Sequence, residues 1–133
     1  LGALIDSSVL IAGERGELDL DTILERDAHT ELALSAITVS ELLHGVHRTN
    51  TESRRTRREA FVEAILTSFP IISFDFVAAR THARLWARLL SKGRTIGAHD
   101  LLIAATAISR GLRVVTRDQR SFPDIPGLSV DVW

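Results

Sequence analysis

At 133 residues, with 45% hydrophobic and 25% charged side chains, the chain has the size and composition of one globular domain, expected to span residues 1–133. Sixteen Lys and Arg against seventeen Asp and Glu leave a formal net charge of -1, which neither advertises nor excludes a nucleic-acid partner. The lack of Cys excludes disulfides, thiolate chemistry and Cys-ligated metal sites, and with no leader pattern and no apolar run near the roughly 18 residues of a membrane span, a soluble cytoplasmic protein is expected.

In chain order, Ala3-Leu4-Ile5 is a short apolar strand that stops at Asp6-Ser7-Ser8, a good helix start, and Gly13 and Gly16 are expected to close the short helix that follows. A second helix fits Leu20 to Asp27, with Asp19 as its N-cap. Leu32-Ala33-Leu34 is a brief strand. From Thr38 a helical pattern begins, with Val39, Leu42, Leu43 and Val46 at three- and four-residue spacing. Thr51 to Ser68 is helical, arginine-rich at its start and ended by Pro70. Ile71-Ile72 is strand-like, and Asp75 caps a long helix to about Lys92. Ala98 to Arg110 is an almost wholly apolar helix ended by Gly111; Val114-Val115 and Leu128 to Trp133 are the last strands.

Short apolar strands alternating with helices predict an α/β fold with a mostly parallel sheet covered on both faces. Sites in such sheets form beyond the carboxyl ends of the strands, near a switch in strand order. Asp6 and Asp118 follow the first and fourth strands directly, Glu41 lies early in the helix after the second, and Asp100 opens the helix that leads back to the fourth. Each has a plainer reading. Asp6 and Asp118 suit turns, Glu41 completes a Thr38-Val39-Ser40-Glu41 capping box, and Asp100 suits a helix dipole. Singly those readings are sufficient, but none of them predicts that the four acids share a rim.

Two unit charges about 4 Å apart repel by roughly 4 kcal/mol at an effective dielectric near 20, so four clustered carboxylates call for a cation. An all-oxygen set suits Mg²⁺ or Mn²⁺, the ions of two-metal nucleases and polymerases. The hydroxyls of Ser7, Ser8 and Thr116 flank Asp6 and Asp118 and are expected to orient a carboxylate or a metal-bound water.

Leu4-Ile5-Asp6-Ser7-Ser8-Val9-Leu10-Ile11, Ser35 to Leu42 with Gly45, His99-Asp100-Leu101-Leu102-Ile103-Ala104-Ala105 and Val114-Val115-Thr116-Arg117-Asp118 together resemble the PIN-domain nucleases, and within them the VapC toxins of bacterial toxin–antitoxin pairs. The resemblance implies a three-layer α/β/α domain and Mg²⁺- or Mn²⁺-dependent endonucleolytic cleavage of structured RNA, often transfer or ribosomal RNA. It also implies homodimerisation and neutralisation by a cognate antitoxin. Carried over position by position, the metal-binding and catalytic acids are Asp6, Glu41, Asp100 and Asp118. Ser7 stands where threonine is commoner in the family, and the position of Asp118 is sometimes asparagine. The alternative within the family is an inactive PIN domain that only binds RNA or protein, which retention of all four acids argues against.

Glu41-Leu42-Leu43-His44 spells the E-x-x-H of di-iron bundles, but that site needs two such motifs. A phosphoacceptor domain wants paired acids after the first strand, whereas Ser7 follows Asp6, and Lys92 is the sole lysine. Asp75 is expected to be a cap, and His99, beside Asp100, a helix-start residue without a role, with support of the acidic set as the alternative. Arg80, Arg84 and Arg88 recur along one helix face, apart from Phe76, Ala79, Ala83, Trp86 and Leu90; with Arg54, Arg55, Arg57 and Arg58 they are candidates to grip RNA phosphates or an acidic antitoxin segment. Phe61, Phe69, Phe74 and Phe76 are expected in the core.

Overall fold

The computed structural model describes residues 2–26 and 28–133. In chain order the elements are β1 (Gly2–Ile5), α1 (Ser7–Glu14), α2 (Leu20–Arg26), β2 (Glu31–Ser35), α3 (Ala36–His47), α4 (Glu52–Ser68), β3 (Ile71–Ile72), α5 (Phe76–Ser91), α6 (Ala98–Arg110), β4 (Arg113–Thr116) and β5 (Val130–Val132). The expected end of the second helix, Asp27, lies outside the described residues.

The strands form one sheet in the order β3-β2-β1-β4-β5, with every neighbouring pair parallel. Leu4 is opposite Ala33 on one side and Val114 on the other, so β1 is the central strand. The chain adds β2 and β3 outward on one side of β1 and then returns to add β4 and β5 on the other. The order therefore reverses between β1 and β4, where a crevice opens beyond the strand ends.

Alternation along the strands divides the core in two. Leu4, Ala33 and Val114 point to one face, where Leu85, Leu89, Ile103, Ala104 and Phe122 from α5, α6 and the loop after β4 cover them. Ala3, Ile5, Leu34 and Val115 point to the other face, against Val9, Leu10, Leu42, Val46 and Val62 of α1, α3 and α4. This is the three-layer α/β/α arrangement. Among the described residues, no helix is long and apolar enough to cross a membrane.

Three local expectations are corrected. The helix read from Thr38 starts at Ala36, because the Ser35 hydroxyl accepts the Thr38 N–H at 3.0 Å and caps it. Gly13 does not stop α1 but lies within its last turn; a Cβ there would sit 2.2 Å from Leu20 Cδ1, so the missing side chain lets α2 approach. Phe76 is not in the core: α5 turns Ala78, Thr81, Leu85 and Leu89 inward, leaving Phe76 69% exposed beneath the Arg80 guanidinium at 4.6 Å. Asp75 is the cap it was expected to be, accepting the Ala78 N–H at 2.9 Å.

Candidate active site

The rim beyond β1 and β4 is built first by Asp6. Its backbone N–H donates to the Val115 carbonyl at 2.8 Å, which ties the end of β1 to β4. Asp6 holds the N-cap position of α1, yet its side chain makes no capping bond. Instead the hydroxyls of Ser8 and Thr116 both donate to Asp6 Oδ2, at 2.6 and 2.9 Å. These hydroxyls in turn accept the backbone N–H groups of Arg117 at 3.1 Å and Asp118 at 2.9 Å, which leaves each O–H free to point at the carboxylate. One oxygen of the buried Asp6 is thus held by a relay from β4, and among the described residues no donor occupies Oδ1.

Glu41 reaches the rim from the second turn of α3. The true start of that helix removes the capping-box role, since Ser35 caps and Glu41 is free to point elsewhere. Ser7 donates to Glu41 Oε1 at 3.3 Å, and His99 Nδ1 lies 3.5 Å from Oε2. Burial and the nearby charge of Asp6 raise the Glu41 pKa, partly offset by His99 and Ser7.

Asp100 sits in the first turn of α6, after Gly97, where no side chain caps the helix. A Cβ on Gly97 would lie 3.4 Å from Asp100 Oδ2, so the glycine leaves the carboxylate room. Burial pushes the Asp100 pKa up to about 6, reinforced by the charges of Asp6, Asp118 and Glu41. All four predicted acids therefore act on one another across a single rim. Asp118 differs from Glu41 and Asp100. Burial works against its charge, but the backbone N–H groups of Arg120 at 2.8 Å and Ser121 at 3.3 Å outweigh it and hold its pKa below the ordinary value.

Two residues enlarge the set. His99, read as a residue without a role, stands against Glu41. Ser121 lies beside both Asp100 and Asp118 and was not singled out; the only signal for it is its position three residues past Asp118, where a turn folds back. Among the described residues, no three carboxylate or imidazole side chains already close around one point.

Comparison with known proteins agrees with this geometry. The PIN domain model matches residues 3–128. The chain is 38% identical over 130 residues to Ribonuclease VapC1 of Rickettsia felis, covering 98% of this chain and 95% of that one. It is 34% identical over 104 residues to the tRNA(fMet)-specific endonuclease VapC of Salmonella typhimurium, covering 78% and 76% of the two chains. Its fold superposes on the crystal structure of DNA-bound VapBC from Salmonella typhimurium with a TM-score of 0.90 and 28% identity, covering 100% of this chain and 98% of that one. With that match over nearly its whole length, a parallel sheet that reverses its order at β1 and four acids gathered where it reverses, the chain belongs to the PIN domain family and resembles the VapC ribonucleases within it.

Proposed function

We propose that this chain is a Mg²⁺- or Mn²⁺-dependent endoribonuclease toxin that cuts structured RNA, transfer or ribosomal, in the cytoplasm and is neutralised by a cognate antitoxin. The observation that carries it is the placement of Asp6, Glu41, Asp100 and Asp118 on one rim, where burial first and the neighbouring carboxylates second push the Asp100 pKa up to about 6. The donor set fits a hard divalent ion: it is all oxygen, and Asp6 Oδ1 has no donor among the described residues. The relatives named ribonucleases, and the Salmonella relative named for tRNA(fMet), support an RNA substrate. The VapBC complexes of similar fold support an antitoxin partner.

Asp6, Glu41, Asp100 and Asp118 would hold the ion, which when bound supplies an activated water and neutralises charge on the scissile phosphate. The chain's own part is orientation. Ser8 and Thr116 lock Asp6 to β4, Ser7 and His99 steady Glu41, and the turn through Arg120 and Ser121 sets Asp118. The ligands thus sit on strand ends and helix starts of a packed sheet, which restricts their movement more than a loop would.

Controlled expression followed by sequencing of newly formed RNA 5′ ends tests the reading. The active protein is expected to create a small set of new ends that Asp6→Asn does not create. Identical ends in both would leave only an RNA- or protein-binding role.

Homodimerisation belongs to the same reading, and the outer face of α5 supports it. Phe76, Trp86 and Leu90 are 53–69% exposed there, an apolar patch of the kind that a partner surface covers. Light scattering at tens of micromolar is expected to give a dimer mass for the wild type and a monomer mass for Trp86→Glu. An unchanged mass would remove α5 from the interface.

A further inference from the structure

The arginines left over by the acidic site do not lie evenly on the surface. Four of the five residues 54–58 are arginine, in a chain whose net charge is -1. They line the junction between α3 and α4, where a cleft of about 380 Å³ is bounded by Gly45, Arg48, Thr49, Asn50, Arg54 and Arg58. A second cleft of about 330 Å³ adjoins it along Arg54, Arg57 and Arg58. A narrow, mostly apolar gap of about 30 Å³ beside them is bordered by Gly45, Arg58, Glu14 and Glu41 of the acidic rim. Arg58 borders all three spaces, and Gly45 borders the first and the last.

Helix geometry makes this a continuous path. Glu41, Gly45 and Arg48 recur at four and three residues, so they share one face of α3. Arg48 lies about 10 Å along the axis from Glu41 at roughly 1.5 Å per residue. Between them the Arg58 guanidinium lies over Gly45, where a Cβ would meet its Nη1 at 3.2 Å. The charges differ in availability. Arg58 is held by Glu14 at 2.9 Å. Arg48, Arg54 and Arg57 are exposed, and among the described residues none is paired with a carboxylate. Arg54 donates one N–H to Asn50 Oδ1 at 3.1 Å, which steadies its guanidinium while leaving the other donors outward.

We propose that RNA passes from the acidic rim over the Arg58 side chain into the α3–α4 cleft, where Arg48 and Arg54 grip its phosphates near the cut. The inference rests on the ribonuclease reading. Four acids repel the polyanion they must cut, so a substrate held there needs cations close by on its own path; Arg120 stands beside Asp118, and this cleft carries the unpaired arginines on the Glu41 side. Guanidinium forks suit phosphate oxygens, and the amide of Asn50 and hydroxyl of Thr49 add neutral donors beside them. The Arg80, Arg84 and Arg88 row lies on α5 in the opposite layer, with no such connection to Glu41.

The test compares wild type, the Arg48→Gln/Arg54→Gln pair and the Arg48→Lys/Arg54→Lys pair on bulk transfer RNA, from 50 to 200 mM salt. The Gln pair is expected to raise KM about tenfold and to flatten the log–log salt slope by about 1.4, at roughly 0.7 per lost single-strand phosphate contact, while cutting at the same bonds. The Lys pair, which keeps both charges, is expected to keep the slope, and thermal melting of both pairs checks the fold. A Gln pair with wild-type KM and slope overturns the cleft assignment alone. So does a Gln pair that loses affinity only for a poly-glutamate peptide, which would give the cleft to an acidic protein segment. Wild-type protein that cuts no RNA is a separate result, and it removes the ribonuclease reading and this inference together.

Discussion

Asp100→Asn is expected to lower RNA cleavage by at least about a thousandfold while making the metal-free protein more stable. The first effect follows from removing a charge that positions the reacting groups, for which losses of roughly 10²–10⁴ are usual. The second follows from linkage. An unfolded chain releases the Asp100 proton near pH 3.8, whereas the fold keeps it to about 6. Between those values the unfolded state has ionised and the folded state has not, so a rise in pH favours unfolding. The stability that protonated Asp100 confers is complete below about pH 3.8 and is lost as pH climbs through about 6. In full, the gap corresponds to about 3 kcal/mol. Solvent screening of a half-buried group reduces that to ~1–2 kcal/mol, or roughly 3–8 °C in Tm. Asparagine carries no charge to expel. The Tm difference between variant and wild type, both in chelator, should therefore be small near pH 4 and full above pH 6.5. Asp118, whose pKa is lowered, works in the opposite sense in both proteins. A variant that melts below wild type at pH 7 would mean that the carboxylate serves α6 as a helix-end charge and not as a ligand.

A second large effect is expected on adding Mn²⁺. An ion that binds only the folded chain at a hundred times its dissociation constant stabilises it by about 2.7 kcal/mol. For a domain of this size that is a rise of roughly 8–12 °C in Tm. The gain should be several-fold smaller in Asp100→Asn, which lacks one donor and the repulsion that the ion relieves. Calorimetric or fluorescence melts with and without Mn²⁺ measure both. Equal shifts in the two proteins would place the ion away from this rim.

Much of this was legible in the residues because the relevant signals are local. Asp6 and Asp118 interrupt apolar strands abruptly, and in a parallel sheet the ends of neighbouring strands lie on one edge. Gly111 and Asp75 mark helix ends by backbone conformation and capping, which depend on a few adjacent residues. What escaped was set by packing between distant segments. Ser35 and Thr38 are both plausible caps, and only the fold shows which hydroxyl accepts the N–H; that choice moved Glu41 from a capping position to a free one. The wheel of α5 carries two apolar stripes, and the sequence does not say that Ala78, Leu85 and Leu89 face the sheet while Phe76, Trp86 and Leu90 face outward. His99 and Ser121 carry no pattern of their own. They matter because α6 and the turn after β4 bring them to Glu41, Asp100 and Asp118.

The hydroxyl of Thr116 reaches the carboxylate of Asp6 across 110 positions of chain. The last element needed for that contact is synthesised long after the first, and pairing so remote in sequence is slow to form. A ribosome-bound chain lacking β4 has Asp6 and Glu41 but neither the strand that anchors the first nor the turn that bears Asp118. The rim is therefore assembled only once β4 and the turn after it have emerged, a delay built into the order in which the strands leave the ribosome.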